Sequence, residues 1–582
     1  MKTLLSGNEA IARAAYEAGV TVATAYPGTP STEILENVAQ YKEIYSEWAP
    51  NEKVALEVGI GASIAGARVL VAMKHVGVNV AADPLFTFAY TGVNGGLVLI
   101  SADDPGMHSS QNEQDNRYYA KFSKIPMLEP SDSQEAKDMV KMAFALSESF
   151  DTPVMLRITT RIAHSQTLVE LEEREEVGVK EYVKNPLKYV MIPAYGRMRH
   201  VVVEERRQKL EQETEKVTVN RIEWNSEDIG VITSGINYHY VKEVLPQVSV
   251  LKLGMTNPLP KELISQFVSR VDKAYVVEDL EPFMEEQIKS WGLEVIGKET
   301  FPRTGELSPA LIEAGITGQS AASEAAATAA QEIPKRPPVL CAGCPHRGVY
   351  YIINKLKLKV TGDIGCYTLG ALPPLEAMDS CICMGASIGT ALGMEKARGR
   401  EFSKDLVAVI GDSTFMHSGI TGLVDVVYNK GTTTTLILDN RTTAMTGHQD
   451  NPATGYTLKK EETSQVNFEE LVKALGIKRV AVVDPYDLEK VEAVLKEETQ
   501  AEEPSVIIVR RPCALLDKST RPAMVIDQES CTSCKRCMKL ACPAIALKGE
   551  EVVINYTQCS GCELCMKVCR FGAIKKAGES NE

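Results

Sequence analysis

The chain has 582 residues, of which 44% are hydrophobic and 24% charged. That is ordinary globular composition and excludes a wholly disordered, collagenous or coiled-coil protein. The formal net charge of −14 leaves no basic surface of the kind that binds a nucleic acid.

At roughly 150 residues per domain, the length predicts about four domains. The N-terminus meets Gly7, Asn8 and Glu9 too early for a signal peptide. The least polar stretch, residues 76–102, is broken by Asn79, Asp83, Pro84 and Asn94, where a membrane span needs about 20 apolar residues. A soluble, cytoplasmic protein is expected, without nucleic-acid or membrane partners.

In chain order, residues 8–18 read as a helix and 23–27 as a strand entering a turn. Residues 51–69 read as a small-residue helix and 96–101 as an apolar strand. This alternation predicts a parallel sheet with helices on both faces. Residues 204–216 are dense in charge and read as a solvated helix or connection. A second α/β module has strands at 229–233, 248–253 and 274–278, with helices at 240–245 and 261–271. The run of alanines at 321–330 and the proline-rich 333–338 read as a linker. A third α/β module runs from about 338 to 516, and a tail of about 60 residues follows the connection at 512–522. The expected fold class is α/β, with several doubly wound domains and a small C-terminal α+β domain.

All 14 cysteines lie between Cys341 and Cys569, eight of them within 39 residues. Such clustering reads as metal or cluster ligation in a reducing compartment, not as disulfides. The tail repeats Cys531-x2-Cys534-x2-Cys537-x4-Cys542 as Cys559-x2-Cys562-x2-Cys565-x3-Cys569. Three closely spaced thiolates wrap one face of a 4Fe–4S cube, and the fourth ligand reaches the other cube. The spacing therefore predicts Cys531, Cys534, Cys537 and Cys569 on one cluster, and Cys559, Cys562, Cys565 and Cys542 on the other. Two zinc sites are the alternative, but zinc prefers paired CxxC knuckles.

Residues 405–411 read as a buried strand ending in Gly411-Asp412-Ser413. A helix at 418–428 follows, then a strand at 432–439 ending in Asn440. Ligands of open α/β sheets bind at the carboxyl ends of strands. Asp412, Asn440 and a backbone carbonyl near Thr442 offer the hard oxygens that magnesium requires. The segment resembles the GDG…NN motif of thiamine-diphosphate enzymes. The ends Gly411-Asp412-Ser413 and Asp439-Asn440 have 25 residues between them, with Ser413 and Asp439 departing from the pattern. The cofactor's aminopyrimidine needs a carboxyl partner. Glu57, in the apolar run 54–62, is the expected partner, with its pKa raised by apolar surroundings. An exposed helix acid is the alternative.

Four features converge: YPGTPSTE at 26–33, the run around Glu57, the GDS…DN pair and the two-cluster tail. Together with CAGCPH at 341–346, GDIGCYTLG at 362–370, MGAS at 384–387 and TAMTGHQ at 443–449, they resemble the 2-oxoacid:ferredoxin oxidoreductases, most nearly the branch acting on aryl 2-oxo acids such as indolepyruvate and phenylpyruvate. The resemblance implies a pyrimidine-binding domain at 1–190, a transketolase-C-like domain at 191–318, a linker at 319–338, a diphosphate-binding domain at 339–516 and a ferredoxin domain at 523–582. It implies oxidative decarboxylation with coenzyme A, single-electron transfer to iron–sulfur clusters and on to ferredoxin, and a separate smaller gamma-type subunit. Thr29 matches the segment beside the substrate. Arg117 and Arg157 are open candidates for gripping the substrate carboxylate.

The resemblance also implies a third cluster in the core, with Cys341, Cys344, Cys366 and Cys513 as the ligands expected from its CxxC…C…C pattern, and with Cys381 or Cys383 able to replace Cys513. Packed thiols are the alternative. Two rival functions share parts of this pattern. A non-redox thiamine decarboxylase would leave the tail without purpose. An electron-transfer subunit without catalysis would make the GDS…DN spacing an accident.

Overall fold

The structure, a computed structural model, describes residues 2–318 and 337–578. The expected linker lies outside the described residues but for its last two, as do the last four residues of the expected ferredoxin domain. The chain divides into two compact units, Met1–Ile333 and Pro334–Glu582.

The first unit holds a seven-stranded sheet in the order Met255–Asn257, Met127–Leu128, Val154–Thr159, Leu97–Asp103, Val69–Lys74, Val22–Ala25, Tyr45–Trp48. All neighbours are parallel except the first pair. The central strands Val69–Lys74, Leu97–Asp103 and Val154–Thr159 are buried along their whole length, which is why they read as continuous apolar runs. A second sheet runs Lys273–Val277, Ser226–Ser234, Val248–Leu253, Arg221–Glu223. Strand Met255–Asn257 comes from the second α/β module yet pairs with Met127–Leu128 of the first. Leu99 and Met155 also share one apolar core with Ile232, Leu253 and Phe267.

One expectation changes here and another is sharpened. The helix read over residues 51–69 is Glu52–Ile64, followed by strand Val69–Lys74. Gly66 sits at φ +103, and a Cβ there would lie 2.1 Å from Lys180 O, so the chain turns where the small-residue run seemed continuous. The charged segment at 204–216 is helical as far as Glu213, forming the second half of the mostly exposed helix Pro193–Glu213, and turns after it. Its Arg206 is buried and donates to the carbonyls of Asp151 and Ala89.

The second unit holds a six-stranded parallel sheet in the order Ser380–Cys381, Lys359–Gly362, Leu406–Gly411, Thr434–Asp439, Ser505–Arg510, Arg479–Val483. The cysteine tail adds two antiparallel strand pairs, Met524–Ile526 with Ile574–Lys576 and the hairpin Ile545–Lys548 with Glu551–Ile554. The tail is not a loosely attached module. Its Leu540, Val552, Leu564 and Val568 belong to the same apolar core as Leu340, Val349, Tyr350 and Val409.

Candidate active site and iron–sulfur centres

In the second unit, Leu406–Gly411 and Thr434–Asp439 are adjacent parallel strands with Gly411 opposite Leu438. Asp412 and Asn440 therefore leave the sheet side by side at its carboxyl edge. Asp412 is buried, its Oδ1 accepting from the Ser413 N–H at 2.8 Å. Its Oδ2 is buried and has no hydrogen-bond partner among the described residues. Burial, with Asp439 nearby, pushes its pKa up to about 7, the mark of a carboxylate short of positive charge.

The outer end of the Asn440 amide lies 2.8 Å from Thr442 O and 3.2 Å from Asp412 Oδ1. Turned with nitrogen outward, the amide donates to both. Turned with oxygen outward, it sets that oxygen near both the Thr442 carbonyl and Asp412 Oδ1. Ligand oxygens of an octahedral magnesium ion, at about 2.1 Å from the metal, stand about 3 Å apart. The three residues singled out in the sequence thus fit a magnesium ion. Asp439, where the motif has its first Asn, is paired instead with Arg510 at 2.7 Å and Arg441 at 3.2 Å. Ser413 accepts from the Thr443 hydroxyl at 2.9 Å. Sequence reasoning missed Asp363. Fully buried in the GDIGC loop, it accepts from the backbone N–H groups of Gly385 at 2.8 Å and Ser387 at 3.1 Å and so holds the MGAS turn. Its strand-end position was the available signal.

Beside this edge, the Cys513 N–H donates to Asn440 O at 2.9 Å. The Cys344 thiol lies within electrostatic reach of Cys341 and Cys366, Cys366 within reach of Cys513 and Cys341, and Cys513 within reach of Cys341 and Asp412. The four expected core ligands are thus linked in a chain of electrostatic neighbours from Cys344 to Cys513. Burial raises Cys344 to about 12 and Cys366 to about 11, so a thiolate there calls for compensating metal charge. Cys381 and Cys383 lie within electrostatic reach of Asp363, and Cys381 also of Cys383.

The tail thiols form two adjoining neighbourhoods, with Cys565 within electrostatic reach of both Cys542 and Cys537. Cys537 is surrounded by Cys534, Cys531 and Cys569, and Cys542 by Cys562 and Cys559. One cavity is lined by Cys542, Cys559, Cys562 and Cys565 together. Cys569 thus lies near thiols of the first motif, and Cys542 near those of the second. No trio of His, Cys, Asp or Glu side chains closes on a single-ion point among the described residues.

In the first unit, strand Val22–Ala25 runs into the Tyr26–Thr29 segment. Asn8, buried on the first helix, donates to Pro30 O at 2.7 Å and fixes that loop. A Cβ on Gly28 would lie 3.0 Å from Lys74 Cβ. Lys74 ends the neighbouring strand and donates to Ser109 O at 2.7 Å, while the Ser109 hydroxyl donates to Thr29 O at 3.4 Å. Burial lowers the Lys74 pKa to about 8.

Glu57 is not in apolar surroundings. It is exposed and paired with Lys53 one turn earlier. The helix buries Glu52, Ala55, Leu56, Gly59 and Ser63, a stripe of helical period that leaves position 57 on the opposite face. The buried acid of this helix is Glu52, in its first turn after the Asn51 cap.

Neither arginine candidate is free. Arg117 is buried against Asp115 at 2.5 Å and Glu278 at 2.6 Å. Arg157 binds Asp103 at 2.7 Å and also Glu129. Arg117 is fully engaged by these carboxylates, whereas the Nη2 of Arg157 is buried without a hydrogen-bond partner among the described residues, so Arg157 alone stays open as the substrate grip.

Comparison with known proteins agrees with this layout. The family described as "Pyruvate flavodoxin/ferredoxin oxidoreductase, thiamine diP-bdg" matches residues 13–227. "Thiamine pyrophosphate enzyme, C-terminal TPP binding domain" matches 363–509, and "4Fe-4S dicluster domain" matches 523–576. The indolepyruvate oxidoreductase subunit IorA of Archaeoglobus fulgidus is 42% identical over 99% of this chain and 98% of the relative. That of Pyrococcus horikoshii is 41% identical over 99% and 97%. With thiamine-diphosphate-binding domains in both halves and a two-cluster domain at its end, the chain belongs to the indolepyruvate oxidoreductase IorA-subunit family, among the 2-oxoacid:ferredoxin oxidoreductases.

Proposed function

We propose that the chain oxidatively decarboxylates aryl 2-oxo acids, indolepyruvate and phenylpyruvate among them, to aryl-acetyl-CoA and carbon dioxide, and passes the electrons singly to ferredoxin. The observation that carries this reading is that Cys513, within electrostatic reach of Cys341 and Asp412, donates its N–H to Asn440 O at the edge of the sheet where the diphosphate motif ends. An electron acceptor there adjoins the chemistry. Thiamine diphosphate, when bound, supplies the electron sink for decarboxylation.

The chain's own residues have separable tasks. Asp412, Asn440 and the Thr442 carbonyl hold magnesium and so the diphosphate, with Gly411 and Ser413 shaping the turn. Glu52 takes the aminopyrimidine role first read onto Glu57. Thr29 stands beside the substrate, and Lys74 offers it a cation. The core cluster on Cys341, Cys344, Cys366 and Cys513 adjoins the tail: a Cβ on Gly343 would lie 2.3 Å from Ser560 Oγ, between tail ligands Cys559 and Cys562. The electron path runs from the core cube to the cube of Cys542, Cys559, Cys562 and Cys565, then to that of Cys531, Cys534, Cys537 and Cys569.

A smaller gamma-type subunit completes the enzyme as a heterodimer or heterotetramer, and coenzyme A is the co-substrate. The free thiols suit the cytoplasm, a reducing compartment. Among the described residues, no helix is long and apolar enough to cross a membrane.

Iron content of the anaerobically purified full chain tests the reading. Three cubes bring about twelve irons, and Cys344→Ser should hold about eight, with Cys381→Ser and Cys383→Ser unchanged. About eight irons in the unaltered chain removes the core cluster.

A further inference from the structure

Arg347 follows the first CxxC by three residues and is buried, with 1% of its surface exposed. Its Nε donates to Cys341 O at 2.9 Å, and Nη1 to Leu540 O at 2.9 Å and to Ala541 O. Its Nη2 donates to Leu340 O. Four of its five N–H groups thus end on main-chain carbonyls, on one side from the core CxxC loop and on the other from the loop leading to Cys542. No carboxylate pairs with it among the described residues, whereas the buried Arg117 and Arg157 each have at least two; Arg206, also buried, is like Arg347 in ending on main-chain carbonyls, but no thiol cluster adjoins it.

An isolated buried charge is costly unless something nearby compensates it. Arg347 lines the same cavity as Cys542, Cys559, Cys562 and Cys565. Cys341 and Cys344 are within its electrostatic reach on the opposite side. A cube held by four thiolates carries net negative charge, which increases by one on reduction. A fixed cation between two such cubes favours their reduced forms, because cluster potential depends on net charge and hydrogen bonding around the sulfurs.

We propose that Arg347 is the buried counter-charge shared by the core cluster and the tail cluster of Cys542, Cys559, Cys562 and Cys565, and that it sets the potentials of both while tying their loops together. It is a positioning residue: it touches ligand loops and no substrate. The inference rests on the three-cluster reading above.

Redox titration of the anaerobic full chain, followed by electron paramagnetic resonance, tests it with Arg347→Met and Arg347→Lys. In the Met variant the midpoint potentials of both neighbouring cubes should fall by at least 59 mV, equivalent to a tenfold change in a one-electron equilibrium. The cube of Cys531, Cys534, Cys537 and Cys569 should move less, and the Lys variant should keep all three near their original values. Unchanged potentials in a Met variant of full iron content, or equal shifts of all three cubes, would overturn the proposal. If the Met variant loses iron, the Lys variant decides: retained potentials support the counter-charge, and a drop of 59 mV or more refutes it. About eight irons in the unaltered chain would instead defeat the three-cluster reading, and the two tail cubes would still test Arg347.

Discussion

Gly77 closes over the carboxylate of Glu52 so tightly that a Cβ at position 77 would lie 2.6 Å from both Glu52 Cγ and Oε1. The helix opened by His75 and the helix opened by Glu52 meet at this point. The buried carboxylate is thereby held in one place, as a proton-sharing partner of an aminopyrimidine must be.

Glu52→Gln should therefore fold and retain its iron while losing roughly 10²–10⁴-fold in turnover, the usual worth of a positioned acid–base group. Glu57→Gln, which breaks an exposed pair with Lys53, should stay within twofold of the parent rate. Gly77→Ala should resemble Glu52→Gln, because the new methyl displaces the carboxylate. Steady-state rates of viologen reduction compare the three. A near-normal Glu52→Gln would return the role to another residue.

Asp412 offers a buried oxygen with no partner among the described residues. Asp412→Ala should abolish magnesium-dependent binding of thiamine diphosphate and leave the tail iron in place. Titration calorimetry with cofactor and magnesium reads the first effect, and iron analysis the second. Unchanged cofactor affinity would mean that the oxygens of Asp412, Asn440 and Thr442 serve another purpose.

Lys74 and Arg157 should separate binding from stability. Lys74 has its pKa lowered to about 8 by burial, with Asp104 opposing. Its ammonium is charged below that pH and lost above it, and a bound carboxylate would favour the charged form. KM for the 2-oxo acid should rise toward tenfold per pH unit above about 8, and Lys74→Met should raise KM at neutral pH while flattening that limb. Arg157→Ala should leave Asp103 and Glu129 buried without their cation and cost about 3–5 kcal/mol of stability, seen in denaturant melts. A pH-independent KM in the parent enzyme would exclude Lys74 from substrate binding.

Much of this protein is local in its sequence. The strands around Asp412 and Asn440, the cysteine repeat and the crossed grouping of its thiols depend on spacing along a few tens of residues, and spacing is what a sequence records. The core thiols were also within reach, because Cys341 and Cys344 stand in one turn and only Cys366 and Cys513 needed the fold to bring them close.

What the sequence left undecided depends on direction and partnership. The run around Glu57 is apolar on average, yet helical period buries Glu52 and turns Glu57 outward. Arg117 and Arg157 look like free cations until the sheet places Asp115, Glu278, Asp103 and Glu129 against them. The tail reads as a separate module because its cysteines repeat, but its apolar residues merge with the core of the diphosphate-binding domain. Arg347 is one residue of a CAGCPHR run until Leu540 and Ala541 arrive from almost two hundred residues away. Composition and spacing fix which groups a chain carries, but burial and pairing are set by neighbours distant in sequence, so only the tertiary structure decides which charges are free.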